Sequence, residues 1–276
     1  MKRKIHFLVL MVWTGVMVAC NNPVNPKSTV KDTVAESPAI VALKSEIALA
    51  PDSARLYDKI IDQYLSERNY LGAVAWCDSI LARNDDRNFS YLFVKGDLQR
   101  QAQQYDSAIN SYKLYLQRFP DDEGILLNLA NTYAEAGRPE SLTMSDDLLK
   151  RSNTRDTQAD VFLIRGVYYS RNKNYSQAVE NFDQAIVKRY SFWEAYLEKA
   201  IALYDAQQFD KSRETLNLLL QVNPSYPDAF YWIGKLDEAG NKKADAIKNY
   251  EAAYSLDKTF TDAKEALDRL KFSSSN

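Results

Sequence analysis

From residue 54 to residue 260 the small, large apolar and polar positions recur with a period of 34 or close to it. Periods of this length mark stacked supersecondary units. Gly96, Gly166 and Gly234 are followed twelve residues later by Ala108, Ala178 and Ala246. Ala130 and Ala200 hold the glycine position in two further repeats, and Ser212 follows Ala200 at the same spacing. Tyr105, Tyr175 and Phe209 stand three residues ahead of the second small residue, and Tyr112, Phe182, Leu216 and Tyr250 four residues after it. The pattern predicts two antiparallel helices per unit. A small residue on the first faces a small residue on the second, so the backbones approach closely while the large groups fill the flanking space. One hairpin cannot cover its apolar face alone, so the units must stack. Gln103-Gln104, Lys173-Asn174, Gln207-Gln208 and Gly240-Asn241 read as the turns between helices.

These residues resemble the tetratricopeptide repeat, over about three quarters of the chain. The resemblance implies an all-α fold, a right-handed α-solenoid of about six helical hairpins with a capping helix at each end. The units run 54–88, 89–122, 123–158, 159–192, 193–226 and 227–260. Pro120 and Pro224 fall at the family's terminal proline position, as does Pro51, which makes 39–50 the second helix of an N-terminal half-unit. Residues 261–271 form the closing helix. Three features depart from the pattern. Ile61 replaces the small residue of the first unit. Lys95, Arg165 and Lys199 stand where the family often has leucine, their stems packing while the charge reaches outward. The third unit is 36 residues long, turns through Gly137 to Ser141, and has Met144 or Ser145 at its small position. It is expected to be a distorted hairpin and a bend between two better-formed halves.

The first twenty residues read differently. Lys2, Arg3 and Lys4 precede a mostly apolar run from Ile5 to Val18, which is too short for a membrane span of about 20 residues and suits a secretory signal. Met17-Val18-Ala19-Cys20 resembles the lipobox of bacterial lipoproteins, although Met17 stands where leucine is usual. The resemblance implies that 1–19 is a signal peptide and that Cys20 is lipidated. Residues 20–38 then form a proline-containing tether, 39–271 the solenoid, and 272–276 a disordered tail. Asn21 is not the aspartate of an inner-membrane retention signal, and the tether lacks the acidic run of surface-export signals. Both point to the periplasmic face of the outer membrane.

Composition narrows the chemistry. The formal charge of -2 would become -5 once the three basic residues of the signal are lost, and Lys and Arg are interleaved with Asp and Glu, so nothing suggests a nucleic-acid partner. His6, the only histidine, lies in the signal. The mature protein therefore has no histidine for a Ser-His or Cys-His pair or for a zinc site. Cys77, at a large-apolar position, reads as a buried free thiol. Asp121-Asp122-Glu123 and Asp146-Asp147 read as charge at helix starts. No cofactor or metal is expected, and no enzymatic role.

Binding remains. In the tetratricopeptide family the first helices line the concave face through the fifth, ninth and twelfth positions of each unit. Here the fifth positions are Asp58, Phe93, Leu127, Leu163, Leu197 and Tyr231, the ninth include Val167 and Ile201, and the twelfth Tyr204. Five apolar residues in a row at one position predict an apolar track for partner proteins or extended peptides; the alternative is that tight curvature buries them. The Lys/Asn/Arg clamp with which some family members hold a terminal carboxylate is matched in no three units. The expected function is a protein-interaction scaffold of the bacterial envelope, joined to the membrane by its lipid. A glycan-capture lipoprotein with a helical-repeat body is the alternative, though no long insertion supplies a platform for a glycan.

Overall fold

The computed structural model describes residues 36–83 and 85–272. The expected signal peptide, the lipidated Cys20 and most of the tether lie outside the described residues. Among the described residues the chain is all helical, with no strand. It opens with α1 (Pro38–Leu49), α2 (Ala54–Ser66) and α3 (Tyr70–Leu81), and a 3₁₀ turn at Asp86–Asn88 leads into α4 (Tyr91–Gln101). The helices that follow are α5 (Tyr105–Arg118), α6 (Glu123–Glu135), α7 (Glu140–Arg151), α8 (Arg155–Arg171) and α9 (Tyr175–Lys188). The chain continues through α10 (Trp193–Asp205), α11 (Phe209–Val222), α12 (Pro227–Ala239), α13 (Lys243–Leu256) and α14 (Thr261–Phe272). The all-α fold of tetratricopeptide-type hairpins, with a single helix at each end, stands as the period predicts. The first helix begins at Pro38, whose missing N–H suits an N-terminal position, and Ser37 caps it by accepting from the Ile40 N–H at 3.2 Å.

The chain divides into two compact units, one ending at Ser107 and one beginning at Ala108. The division falls inside α5, ahead of the third hairpin where the sequence suggested a bend. In the first unit α1 packs on α2, α2 on α3, and α3 on α4. Its core gathers Ile40, Tyr57, Ile60, Tyr64, Ala73 and Cys77. Cys77 is fully buried and unpaired, and burial pushes its thiol up to about 12, so the inert reading stands. In the second unit each hairpin closes on itself and on the next, and the first helices follow one another as α6, α8, α10 and α12. Helix α14 covers α13.

One device ends the first helix of every hairpin. Arg68, Gln103, Gly137, Lys173, Gln207 and Asn241 all have φ between 53° and 69°. The next residue's N–H reaches back five positions, as in Asn174 to the Tyr169 carbonyl and Gln208 to the Leu203 carbonyl, both at 2.8 Å. This 6→1 bond with a left-handed residue is the Schellman closure, which satisfies carbonyls the helix end would leave open. Only Gly137 is a glycine. At the last turn the left-handed residue is Asn241, not Gly240, whose φ is -86°. Asn69 and Asn174 then start the second helices by accepting from the N–H three residues on, at 2.8 and 3.4 Å.

The hairpin interiors correct one detail of the predicted packing. Gly166 makes room chiefly for the ring of Phe182, one turn beyond Ala178: a Cβ on Gly166 would stand 2.4 Å from the ring's Cε1. Gly234 faces the Tyr250 ring in the same way, at 2.7 Å. Where the first helix has Ala200, the second has the smaller Leu216, and Ser212 sits close enough to donate to the Ala200 carbonyl at 2.7 Å. The first hairpin reverses the roles. Its large ring, Tyr64, is on α2, and the glycine it packs over, Gly72, is on α3. Ile61 is buried at the usual small position, and the small Cys77 stands on α3 at the place Phe182 takes on α9.

The third hairpin differs. Its turn has the same Schellman closure, but Pro139 precedes α7, and the buried face of α7 carries Ser141, Ser145 and Leu148. Ser141, and not Met144 or Ser145, takes the small position: Ser141, Ser145 and Leu148 keep the spacing of Ala178, Phe182 and Ala185, so Ser145 stands where other second helices place Phe182, Leu216 or Tyr250. Neither serine hydroxyl has a hydrogen-bond partner among the described residues. The distortion foreseen at this unit is therefore a shortfall of packing. The three cations at leucine positions pair with acids of the preceding second helix: Lys95 with Asp78 at 2.6 Å, Arg165 with Asp146 at 2.6 Å and Lys199 with Asp183 at 2.7 Å. Their stems pack, and the charges tie neighbouring hairpins with pairs worth about 0–1 kcal/mol each.

Candidate interaction faces

In the first unit, α2 and α4 border a groove of 830 Å³. Ile61, Leu65, Phe93 and Val94 give it an apolar floor, and Asp58, Asp62 and Asp97 an acidic rim. Phe93, predicted as a binding residue, does line this groove. Tyr91 donates to Asp58 at 3.1 Å, which fixes that carboxylate at the edge, and burial together with the Asp58 charge pushes the phenol's pKa upward.

In the second unit the predicted track is only partly a surface. Leu127 and Leu163 are half-buried, packed along the core of Ala130, Val161, Ile164 and Phe182. Val167 and Leu197 are 4% and 5% exposed. Successive first helices pack side by side, and at these two positions the neighbouring helix covers the side chain, so Val167 and Leu197 belong to the core and leave the predicted site. Ile201, Tyr204 and Tyr231 are half-buried beside Leu197 and Trp232. Tyr204 lies 5.3 Å from the rings of both Phe209 and Trp232, and Tyr231 5.0 Å from Phe260. Over this aromatic group sits a cation the apolar reading missed. Lys235 Nζ is 4.1 Å from the Trp232 ring centroid and 5.3 Å from that of Tyr204. Burial lowers its pKa, opposed by the charges of Asp205, Glu238 and Asp262.

The sequence reading also missed a row of acids. Asp160, Glu194, Asp228 and Asp262 recur every 34 residues at the second position of the unit, all half-buried. Arg189 is paired with Asp160 at 2.5 Å and stacks on Phe192 at 3.6 Å. Burial raises the pKa values of Asp160 and Glu194, and brings Asp228 up to about 6. One turn after Glu194 on α10, Glu198 is 6% exposed. Burial, with the charges of Glu135 and Asp205 adding and Arg171 opposing, raises it to about 7. The signal for this row was its 34-residue recurrence, the same clue that revealed the hairpins.

Among the described residues no group of His, Cys, Asp and Glu side chains could hold a metal ion, and no helix is long and apolar enough to cross a membrane. The sequence matches tetratricopeptide repeat family models over residues 99–141, 165–227 and 197–259. No curated protein sequence matches the chain significantly. Among solved structures, it resembles a tetratricopeptide repeat protein from Parabacteroides merdae with a TM-score of 0.64 at 15% identity, over 84% of this chain and 91% of that one. It also resembles a thermophilic tetratricopeptide protein of Thermus thermophilus, with a TM-score of 0.57 at 16% identity, over 67% and 99% of the two chains. A third likeness is to the Cut9–Hcn1 hetero-tetramer, at 0.54 and 12%, over 84% and 46%. At such identities the likeness is one of fold. With the hairpins, their Schellman turns and the family match in agreement, residues 99–141 and 165–259 of this chain are tetratricopeptide repeats.

Proposed function

We propose that this protein is an interaction scaffold of a bacterial envelope, which holds partner proteins or extended peptides against its first helices and is tied to a membrane through lipidated Cys20. The observation that carries the binding half is the half-buried row of Leu127, Leu163, Ile201, Tyr204 and Tyr231 on α6, α8, α10 and α12, with Phe93 in the groove of the first unit. Half-buried apolar groups held by a rigid core are already ordered, so a partner gains their remaining apolar area at little entropic cost. Tetratricopeptide proteins are typically scaffolds without catalytic activity, in keeping with the absence of histidine beyond His6. The second-helix side of the hairpins is the natural control. A photo-crosslinking residue at Ile201 or Leu163 should give partner adducts in envelope preparations, and one at the exposed Val187 on α9 should not. Adducts at Val187 alone would overturn the assignment of the face.

The anchoring half rests on the sequence from Lys2 to Cys20. Cys20→Ser should release the protein from membranes. A Ser variant that stays with the membrane fraction after a high-salt wash would end the lipid reading. The periplasmic face of the outer membrane is the proposed location, tested by protease protection in intact and permeabilised cells.

A further inference from the structure

In the first unit the space between two successive first helices stays open. The groove between α2 and α4 holds 830 Å³, and its lining on α2 runs from Ala54 to Leu65. That is about 16 Å of helix at roughly 1.5 Å per residue, a length that an extended chain covers with about five residues. The half-buried Leu65, Phe93 and Val94, with the buried Ile61, form the floor. Leu65 and Val94 rest on the core that contains Ile60, Tyr64 and Leu98, so the floor is ordered before anything covers it. Charge is divided along the groove. Among the described residues two cations line it, Arg83 and Arg87, and both are engaged at the end where α2 begins. Arg83 donates to the Pro51 carbonyl and lies over the Tyr57 ring at 5.3 Å. Arg87 closes on Asp85, with its Nε 2.8 Å from Oδ2. Farther along, Asp58 and Asp62 stand one turn apart on α2 and Asp97 stands on α4, with no lysine or arginine lining that stretch. Asp58 and Asp62 are exposed, and Tyr91 holds Asp58 in place by donating to it at 3.1 Å.

An apolar floor bordered by carboxylates, with the local cations bound elsewhere, complements a segment that is apolar at its centre and positive on either side. In an extended chain every second side chain points the same way. An apolar residue can then enter over Ile61 and Phe93, while the residues two positions before and after it reach for the rim. Lysine and arginine suit those two places. Their methylenes lie along Leu65 and Val94, and their heads donate to the carboxylates. We propose that the α2–α4 groove receives an extended segment of the partner in which an apolar residue is flanked, at two-residue spacing, by lysine or arginine. The proposal rests on the reading that the first helices hold extended peptides, and it names the kind of peptide and the place where it docks.

Immobilised full-length protein is exposed to three fluorescent nonapeptide pools, random at all but three positions. The central residue is leucine, and the residues two positions to either side are both arginine, both norleucine or both glutamate. The expected result is retention of the arginine pool about tenfold above the norleucine pool, with the glutamate pool lowest. The excess should shrink as salt is raised. Asp58→Asn with Asp62→Asn should bring the arginine pool down to the norleucine level, and both residues are exposed, so the fold is spared. Asp97→Asn, on the opposite wall, should remove part of the excess, and Glu214→Gln on the exposed side of α11 should leave it intact. An arginine excess that survives all three groove substitutions would place the basic site elsewhere and overturn the proposal. Pools that bind alike would also overturn it, while the peptide-binding face stands. If no pool is retained, both fall.

Discussion

The second unit contains two regions built to different standards. Inside its last three hairpins the large groups have matching gaps: Phe182 over Gly166, Tyr250 over Gly234, Leu216 beside Ala200. On the face of its first helices the fit is incomplete. Glu198 is buried, with no hydrogen bond among the described residues, Asp228 and Glu194 are held where burial raises their pKa values, and the half-buried Lys235 sits over the rings of Tyr204 and the buried Trp232. Outside the third hairpin, whose Ser141 and Ser145 hydroxyls find no partner among the described residues, the interior matches its groups, and the face keeps several that are not matched. Unsatisfied groups concentrated on one face of an otherwise well-packed repeat mark where another molecule is expected.

The interior should break most readily. Gly166→Leu drives a side chain into the Phe182 ring and should cost about 3 kcal/mol or more, lowering the melting temperature by roughly 2–4 °C per kcal/mol. The Ala200/Leu216 pair shows what a tolerated alternative looks like. Gly166→Ala and Phe182→Leu should therefore each destabilise alone, and the double variant should recover part of the loss, a coupling of about 0.5–3 kcal/mol in a thermal double-mutant cycle. Strict additivity would mean that the two residues do not share that space.

The face should respond in the opposite direction. A Glu198 carboxyl raised from 4.5 to about 7 binds its proton more tightly in the folded chain than in the unfolded one. Stability is then fully present below pH 4.5 and falls as pH rises through 7, by about 3 kcal/mol in all. Glu135 on α6, Arg171 on α8 and Asp205 on α10 set the field it feels. Glu198→Gln should melt higher than the parent at pH 8, with the advantage gone near pH 4. A Gln variant less stable at pH 8 would show that the charge is satisfied by a partner.

The third hairpin sharpens the contrast from within the interior, as the one place where the matching fails. Ser145 is fully buried and its hydroxyl has no partner among the described residues. Ser145→Ala removes that unmet hydroxyl and should stabilise by about 1 kcal/mol. The same change at Ser212, whose hydroxyl donates to the Ala200 carbonyl, should destabilise by a similar amount.

The hairpins were legible because their signal is geometric. A glycine or alanine that must face another backbone leaves a mark in the sequence that repeats with the unit, and Gly166, Ala178 and Phe182 keep that mark. The face was less legible. Leu197 and Val167 share a period with Leu163 and Ile201, yet burial at each position depends on the neighbouring first helix, which the period does not contain. Asp160, Glu194 and Asp228 show the same periodicity as the glycines. Charged residues on a helix ordinarily read as a solvated face, and only the stacking of α8, α10 and α12 makes them costly.

The turns hold the smallest prediction. The spacing located them, but not the backbone conformation. Gln103, Lys173 and Gln207 adopt the left-handed region, with φ of 58°, 60° and 58°, although their side chains do not favour it. The Schellman bonds, such as Asn174 N–H to the Tyr169 carbonyl at 2.8 Å, impose it. A β-carbon in this region costs about 1–2 kcal/mol, which glycine avoids. Glycine gives back about 0.5–1 kcal/mol in backbone entropy, so Lys173→Gly should stabilise by about 0.5 kcal/mol. Gly137, at the same place in the third hairpin with φ of 69°, allows the reverse experiment. Its replacement by alanine meets no close atom, the nearest being Asn172 Nδ2 at 3.6 Å, so any loss reports backbone strain net of the entropy alanine recovers, with no clash added. A rise at Lys173→Gly matched by a fall of about 0.5 kcal/mol at Gly137→Ala, read from chemical denaturation, would assign the effect to the turn. Equal and negligible changes at both would mean that the Schellman bonds hold the left-handed residue at no measurable cost.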